Sequence, residues 1–414
     1  MPDPTTGALP ILDGTNAVTA AQWNTHYLPL EDLSLVLIGT RADQTSTGYS
    51  PGYFNLQNLE IRNGYSGDPG TTRTYTANDG STRAYATGSV CGIYIEKGDH
   101  ITIKGSGIHG NNEGIFGAGQ GDQRNLEELT LDSNYIYGNG TINNFSVHNT
   151  YLEGINTVYQ FNKYGPLRAG ANGSGMKDRG AGTVIRYNSI QGGGHLIDLV
   201  ETSNYVATIL TLPSYHTTYM YGNLFYNDAA TGSVVPIHYG GDQGIPSNYR
   251  KGLLHFYNNT FVNVMDQSQV WRINLFQMDS GGESLDARDN ILYFAPVTAG
   301  HAAPEIDLLT DVGVAYFGRN WVTRGWNTNR WPNPFTGHAA GTSNFINNVQ
   351  NDPGFVNVAA LDFHLSTLSP CIDQEDPLSS DEAPVLFQYA DPASGKPRTI
   401  NGAALDLGAR EQGG

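Results

Sequence analysis

The chain has 414 residues, 51 of them Gly and 24 Tyr, and only 15% are charged, a composition that disfavours long helices and favours strands joined by tight turns. A formal net charge of −17 and a pI near 4.9 exclude a general nucleic-acid binder, because neutralising a phosphate backbone takes clustered Lys and Arg. No apolar run approaches the roughly 20 residues that span a bilayer, so no membrane partner is expected.

Met1 leads straight into the polar stretch MPDPTTGALP, which lacks the basic-then-apolar layout of a secretion signal. Residues 1–50 read as an irregular capping segment. From 51 to 330 a short unit recurs, in which an alternating strand reaches Asn, then any residue, then an apolar or aromatic one. The copies place Asn134, Asn162, Asn188, Asn223, Asn259, Asn290 and Asn320 at spacings of 28, 26, 35, 36, 31 and 30 residues. Ser106 stands 28 residues before Asn134 in the Asn position of ITIKGSGI, and NLEIRNGY near Asn63 reads as the first coil.

Repeats of this length build solenoids, and the alternation within each copy predicts strands with one side in the core. The fold expected is all-β, a right-handed parallel β-helix. An Asn at one corner of successive coils exchanges amide hydrogen bonds up and down the stack and tolerates a left-handed backbone, so the Asn column is read as an internal ladder. Inserts at 65–90, 164–174, 202–218 and 240–251 are expected as outward loops walling a cleft. Residues 331–414 read as an irregular closing segment of the same domain that caps the open end. With strands stacked at roughly 4.8 Å, Cys91 and Cys371 fall on the order of 40 Å apart, beyond disulfide reach, and both are expected to be free and buried.

Counting back from the ladder registers a second strand. Tyr151 precedes Asn162 by eleven residues and Lys177 precedes Asn188 by eleven, so the two side chains should stack, with Glu153 and Arg179 stacking one alternation later. HLIDLVE adds Asp198 and VVPIHYGG adds His238. The expected outward row is Tyr151, Lys177, Asp198 and His238, flanked by Glu153, Arg179, His148, His195 and Glu201. Taken singly, Lys177 to Arg179 also reads as a solvated charged stretch, Glu153 with Arg179 as a surface ion pair, and the histidines as turn residues. Their coincidence in adjacent coils beside long loops is what marks a site.

Across about 90–370 the sequence resembles the bacterial right-handed parallel β-helix repeat proteins that group with pectate-lyase-like and alginate-lyase-like enzymes. The matching pieces are HNTYLEG, GMKDRGAGTVIRYNSI, HLIDLVE, NNTFVN and the closing DPGF with DFHLSTLSPCID. The resemblance implies a polysaccharide-active protein, secreted or periplasmic. The WxDH and RxxR patterns of calcium-dependent pectate lyases and the adjacent Asp pair of pectin hydrolases are absent. Where alginate-lyase-like relatives offer Arg after the Lys strand, Asp198 stands here.

The function this suggests is a polysaccharide lyase that cleaves a uronate-containing polymer by β-elimination. Such a reaction needs a neutralised carboxylate, removal of the C5 proton and protonation of the leaving oxygen. By resemblance Lys177 is the candidate base, provided its pKa is depressed. Arg179 is a carboxylate clamp, Tyr151 or His148 a proton donor, and Asp198 a further catalytic group. Glu153, His195, Glu201 and His238 are the candidate substrate contacts. No compact carboxylate motif demands a metal, although Ca²⁺ is conceivable between Glu153, Asp198 and Glu201. Two alternatives stand beside this reading: a glycoside hydrolase or transglycosidase using Asp198 with Glu153 or Glu201, and a non-catalytic carbohydrate-binding protein.

Overall fold

The computed structural model describes residues 6–20, 30–39, 50–118, 126–230, 232–296, 300–330 and 334–414, and the rest of the expected 1–50 cap lies outside the described residues. Each coil passes through three faces. Thr150–Ile155 lies on the first, Val158–Gln160 on the second and Lys163–Tyr164 on the third, and the next coil repeats the order with Met176–Asp178, Val184–Arg186 and Ser189–Gln191. Among the described residues, eleven strands form the third face, and twenty divide over the first and second. Neighbouring coils pair in parallel, so the molecule is a right-handed parallel β-helix, as the repeat predicts. Its coils extend past the expected 51–330 bounds, from Ile11–Asp13 and Ser34–Ile38 to His338–Ala340 and Phe345–Ile346.

Alternation along each strand fills the interior with stacked columns. On the first face Ile93, Ile115, Thr150, Met176, Ile197, Ile237 and Phe276 follow one another in register and are buried. Each large apolar member contributes about 1.5–3 kcal/mol through burial.

The seven ladder asparagines are all fully buried at the corner between the second and third faces. Each of the first six donates its backbone N–H and its side-chain amide to the Oδ1 of the next, as Asn162 does to Asn188 at 2.9 and 3.0 Å. Ser106 starts the column by donating its N–H to Asn134 Oδ1. The left-handed position differs from expectation: it belongs to the residue before the Asn, with positive φ at Ser133, Phe161, Tyr187, Gly222, Asn258 and Asp289. Bending the chain one residue early is what turns the Asn side chain inward onto the stack. A second set of amide contacts, Asn111 to Asn139 and Asn227 to Asn263, appears at the far end of the third face.

The closing segment is a strap rather than an end cap. Leu224, Val262, Ile291 and Trp321 face outward from the third face and are covered by Phe363, Leu365, Cys371, Tyr389, Leu407 and Ala409. An outward apolar row requires such a cover, which draws the chain back along the flank. Tyr257 Oη donates to Ala383 O, Leu386 N–H donates to Tyr187 Oη, and Lys163 pairs with Asp391. Cys91 and Cys371 are free and buried.

At the strap, Asp289 Oδ1 accepts from Asp376 N–H at 2.7 Å while Oδ2 is buried without a partner. Burial first, then the nearby Glu375 and Asp376, push its carboxyl up to about 8. From about pH 4 to pH 8 the folded chain therefore keeps a proton that the unfolded chain has released, so this group lowers stability as pH rises through that window. Asp289→Asn keeps the acceptor and removes the buried charge. The variant should match wild type near pH 4 and exceed it by on the order of 5 kcal/mol at pH 8 in urea titrations; a difference independent of pH would refute the assignment.

Candidate functional site

Tyr94, Phe116, Tyr151, Lys177, Asp198, His238 and Gln277 occupy one outward row of the first face in successive coils. Aromatic rings lead into the charged part: Tyr94 stacks on Phe116 at 5.2 Å, and Phe116 meets Tyr151 edge-on at 5.2 Å. Beyond Tyr151 the row borders a pocket of about 270 Å³, bounded by Phe145, Asn172, Ser174, His195 and Asp242 from the loops.

Lys177 to Arg179 are all buried, so they are no solvated stretch. Lys177 Nζ donates to Asp198 Oδ2 at 2.5 Å and to Asp242 Oδ2 at 2.6 Å. Burial opposes the ammonium form, but the two carboxylates outweigh it and raise the Lys177 pKa. The expectation that Lys177 is a base with a lowered pKa is thus corrected: it is an ammonium held between two anions. Arg179 is engaged on every side, Nε to Tyr151 Oη at 2.8 Å, Nη1 to Glu201 O at 2.6 Å, and Nη2 to both Asp242 oxygens at 2.7 and 2.9 Å. Asp178 points inward, accepting from Arg250, Thr183, Gly180 N–H and Tyr159 Oη.

Asp198 sits at the centre, with Oδ1 2.8 Å from His238 Nδ1, while His238 Nε2 lies 2.7 Å from Asp279 Oδ2. Burial alone would favour neutral His238, yet hydrogen bonds to Asp198 and Asp279 push it up to about 10. Burial also works against the Asp198, Asp242 and Asp279 carboxylates, but Lys177 or His238 holds each of them below the ordinary range. His148 accepts from Ser174 N–H through Nδ1 at 2.7 Å, and burial followed by the charge of Lys177 brings it down to about 3, so it is neutral with Nε2 carrying the proton. His195 directs Nδ1 to Val235 O at 2.6 Å, and burial lowers its pKa.

Two expected contacts are displaced from the pocket. Glu153 is fully buried and forms no ion pair with Arg179; its carboxylate accepts from Thr202, Ser203, Asn204 and Tyr205 and so fixes the start of the 202–218 loop. Glu201 is equally buried and accepts from the N–H groups of Asp242 and Gln243, which ties down the 240–251 loop. These engagements rule out the calcium cradle imagined between Glu153, Asp198 and Glu201, because the two glutamates face loop amides and not Asp198. They also remove both as partners of Asp198 in a two-carboxyl mechanism. Among the described residues, the one His, Cys, Asp or Glu group close enough to share an ion is His195, Asp198 and His238.

Asp242 and Asp279 were not legible in the sequence as site residues. A signal existed for Asp279, since it lies two residues beyond Gln277, the next member of the row. Asp242 reaches Lys177 across 65 residues from a loop tip, and only its place just after HYGG hinted at it.

No protein-family model matches the chain, and no curated protein sequence matches it. Among solved structures it is similar to the crystal structure of pectate lyase Pel9A, at 16% sequence identity and a TM-score of 0.39, over 88% of this chain and 84% of that one. Among the described residues no helix is long and apolar enough to cross a membrane.

Proposed function

We propose that the protein cleaves a uronate-containing polysaccharide by β-elimination in this pocket. The observation that carries the reading is the Asp242 carboxylate, which lies with both oxygens on Arg179 Nη2 and one on Lys177 Nζ. Two cations so placed make a seat for a carboxylate. A substrate uronate takes that seat when the Asp242 side chain, 31% exposed, swings aside from its fixed loop, and its charge is neutralised as the C5 proton leaves. Tyr151 Oη is bonded to the Nε of the same guanidinium, so the phenol stands beside the seat and serves as the proton-transfer group. Tyr94 and Phe116 extend the row as half-buried rings suited to the apolar faces of sugars. A two-carboxyl hydrolase instead needs one carboxyl kept protonated, whereas Asp198, Asp242 and Asp279 each face a basic side chain.

The test incubates polygalacturonate, alginate and glucuronate-containing polymers with wild type, Tyr151→Phe, Arg179→Lys and Lys177→Ala, following ultraviolet absorbance of the C4–C5 double bond and product mass. Unsaturated products are expected, with kcat lower by about 10²–10⁴-fold in Tyr151→Phe and KM raised in the Arg179 and Lys177 variants. Products heavier by one water would establish a hydrolase, and a polymer retained but uncut would establish a binding protein.

A further inference from the structure

Three groups converge on the pocket floor in a way that the uronate seat does not explain. The candidate ligand atoms of His195, Asp198 and His238 lie within 4.8 Å of one another. Each histidine has its other nitrogen already oriented: His195 Nδ1 by the carbonyl of Val235 at 2.6 Å, and His238 Nε2 by the carboxylate of Asp279 at 2.7 Å. That arrangement leaves His195 Nε2 and His238 Nδ1 as the nitrogens directed at Asp198. Outer acceptors that fix the tautomer and swing of an imidazole are the habit of metal-ligating histidines. Asp279 is itself held, accepting from Gly241 N–H and from Gln277. Asp198 is likewise steered, since Oδ2 accepts from Lys177 and Ser174 while Oδ1 is turned toward His238.

The charges point the same way. Asp198, Asp242, Asp279 and Glu201 bring four carboxylates to a cluster whose permanent cations are Lys177 and Arg179, a shortfall of two positive charges. A dication on the two imidazoles and Asp198 supplies both.

We propose that His195, Asp198 and His238 bind a divalent first-row transition-metal ion. The donor set decides the class: two imidazole nitrogens and one carboxylate oxygen suit zinc and its neighbours, whereas calcium takes six to eight oxygens. Three protein ligands facing a pocket leave a coordination position open to solvent or to a substrate oxygen, the pattern of a reactive rather than a structural site. Asp279 and Val235 O are positioning groups that act through the histidines.

The test uses the full chain and metal alone, so its outcome is independent of whether any polymer is cut. Zn²⁺ is titrated calorimetrically into wild type, His195→Ala, His238→Ala, Asp279→Asn and the control variants His301→Ala and His364→Ala, whose rings pair with Asp266 and Asp362 outside the pocket. Co²⁺ is added in parallel and read by its visible absorption, and circular dichroism confirms that each variant is folded. Wild type and both controls should bind one equivalent, His195→Ala should bind at least about 100-fold more weakly, and Asp279→Asn about 10–100-fold more weakly. His195 is half-buried where His238 is buried, so its variant decides the matter even where His238→Ala does not fold. No stoichiometric binding by wild type, or binding unchanged in His195→Ala, would overturn the proposal. Tighter binding of Ca²⁺ than of Zn²⁺ at the same residues would overturn the choice of metal class.

Discussion

Arg250→Leu is expected to destabilise the fold by about 3–5 kcal/mol, the range for removing one partner of a buried ion pair. Arg250 and Asp178 are both essentially inaccessible, with Arg250 Nη2 2.5 Å from Asp178 Oδ1 and also donating to Gly180 O. Asp178 sits on an inward position between Lys177 and Arg179, and Arg250 ends the 240–251 loop, so this pair locks the loop that carries Asp242 onto the strand that carries the cations. Leucine leaves a carboxylate in the interior facing only neutral donors. Guanidinium titration should show the midpoint fall with little change in slope. The double variant with Asp178→Asn should recover part of the loss, because the orphaned charge goes with it. A loss below about 1 kcal/mol in the single variant would mean that water or a local shift satisfies Asp178, contrary to the buried pair described.

Asn188→Leu is expected to cost about 3–6 kcal/mol, the sum for about three buried groups left without partners. Asn188 Nδ2 donates to Tyr159 O, Arg186 O and Asn223 Oδ1, and its Oδ1 accepts from the N–H and side-chain amide of Asn162. Leucine keeps the volume but strands the Asn162 N–H and the two carbonyls in the interior. Because each coil rests only on its neighbours, the break should fall mid-stack and lower the cooperativity of thermal unfolding along with its midpoint. Asn320→Leu, at the last rung, should cost less, since no further Asn accepts from it. Equal losses at both positions would show that the amides act singly and not as a column.

The column and the row are both readable in the sequence. In a parallel solenoid one coil lies directly over the next, so a count of residues from a repeated corner becomes a lateral position, and eleven residues before Asn162 and before Asn188 means the same rung. The second amide set also left a trace, since Asn227 and Asn263 follow Asn223 and Asn259 by four residues in NLFYN and NTFVN. The sequence predicts an end cap where the structure has a strap, because the strap's destination depends on which third-face residues point outward. That parity is visible only once the corner geometry places the bend before the Asn rather than at it.

What the sequence determined by itself is therefore what repeats: the solenoid, its ladder, and the ordering of Tyr151, Lys177, Asp198 and His238 on one face. The tertiary structure decided what does not repeat. Glu153 and Glu201 bind loop amides, Asp242 folds onto Lys177 and Arg179, and Asp279 orients His238, each through a loop or strand end whose path no period encodes. The protonation of Lys177 reversed for the same reason. Burial alone lowers a lysine pKa, and only the arrival of Asp198 and Asp242 within hydrogen-bonding distance reverses its sign. Strand register is set by local spacing, whereas charge state is set by whichever groups long-range folding brings within a few ångströms.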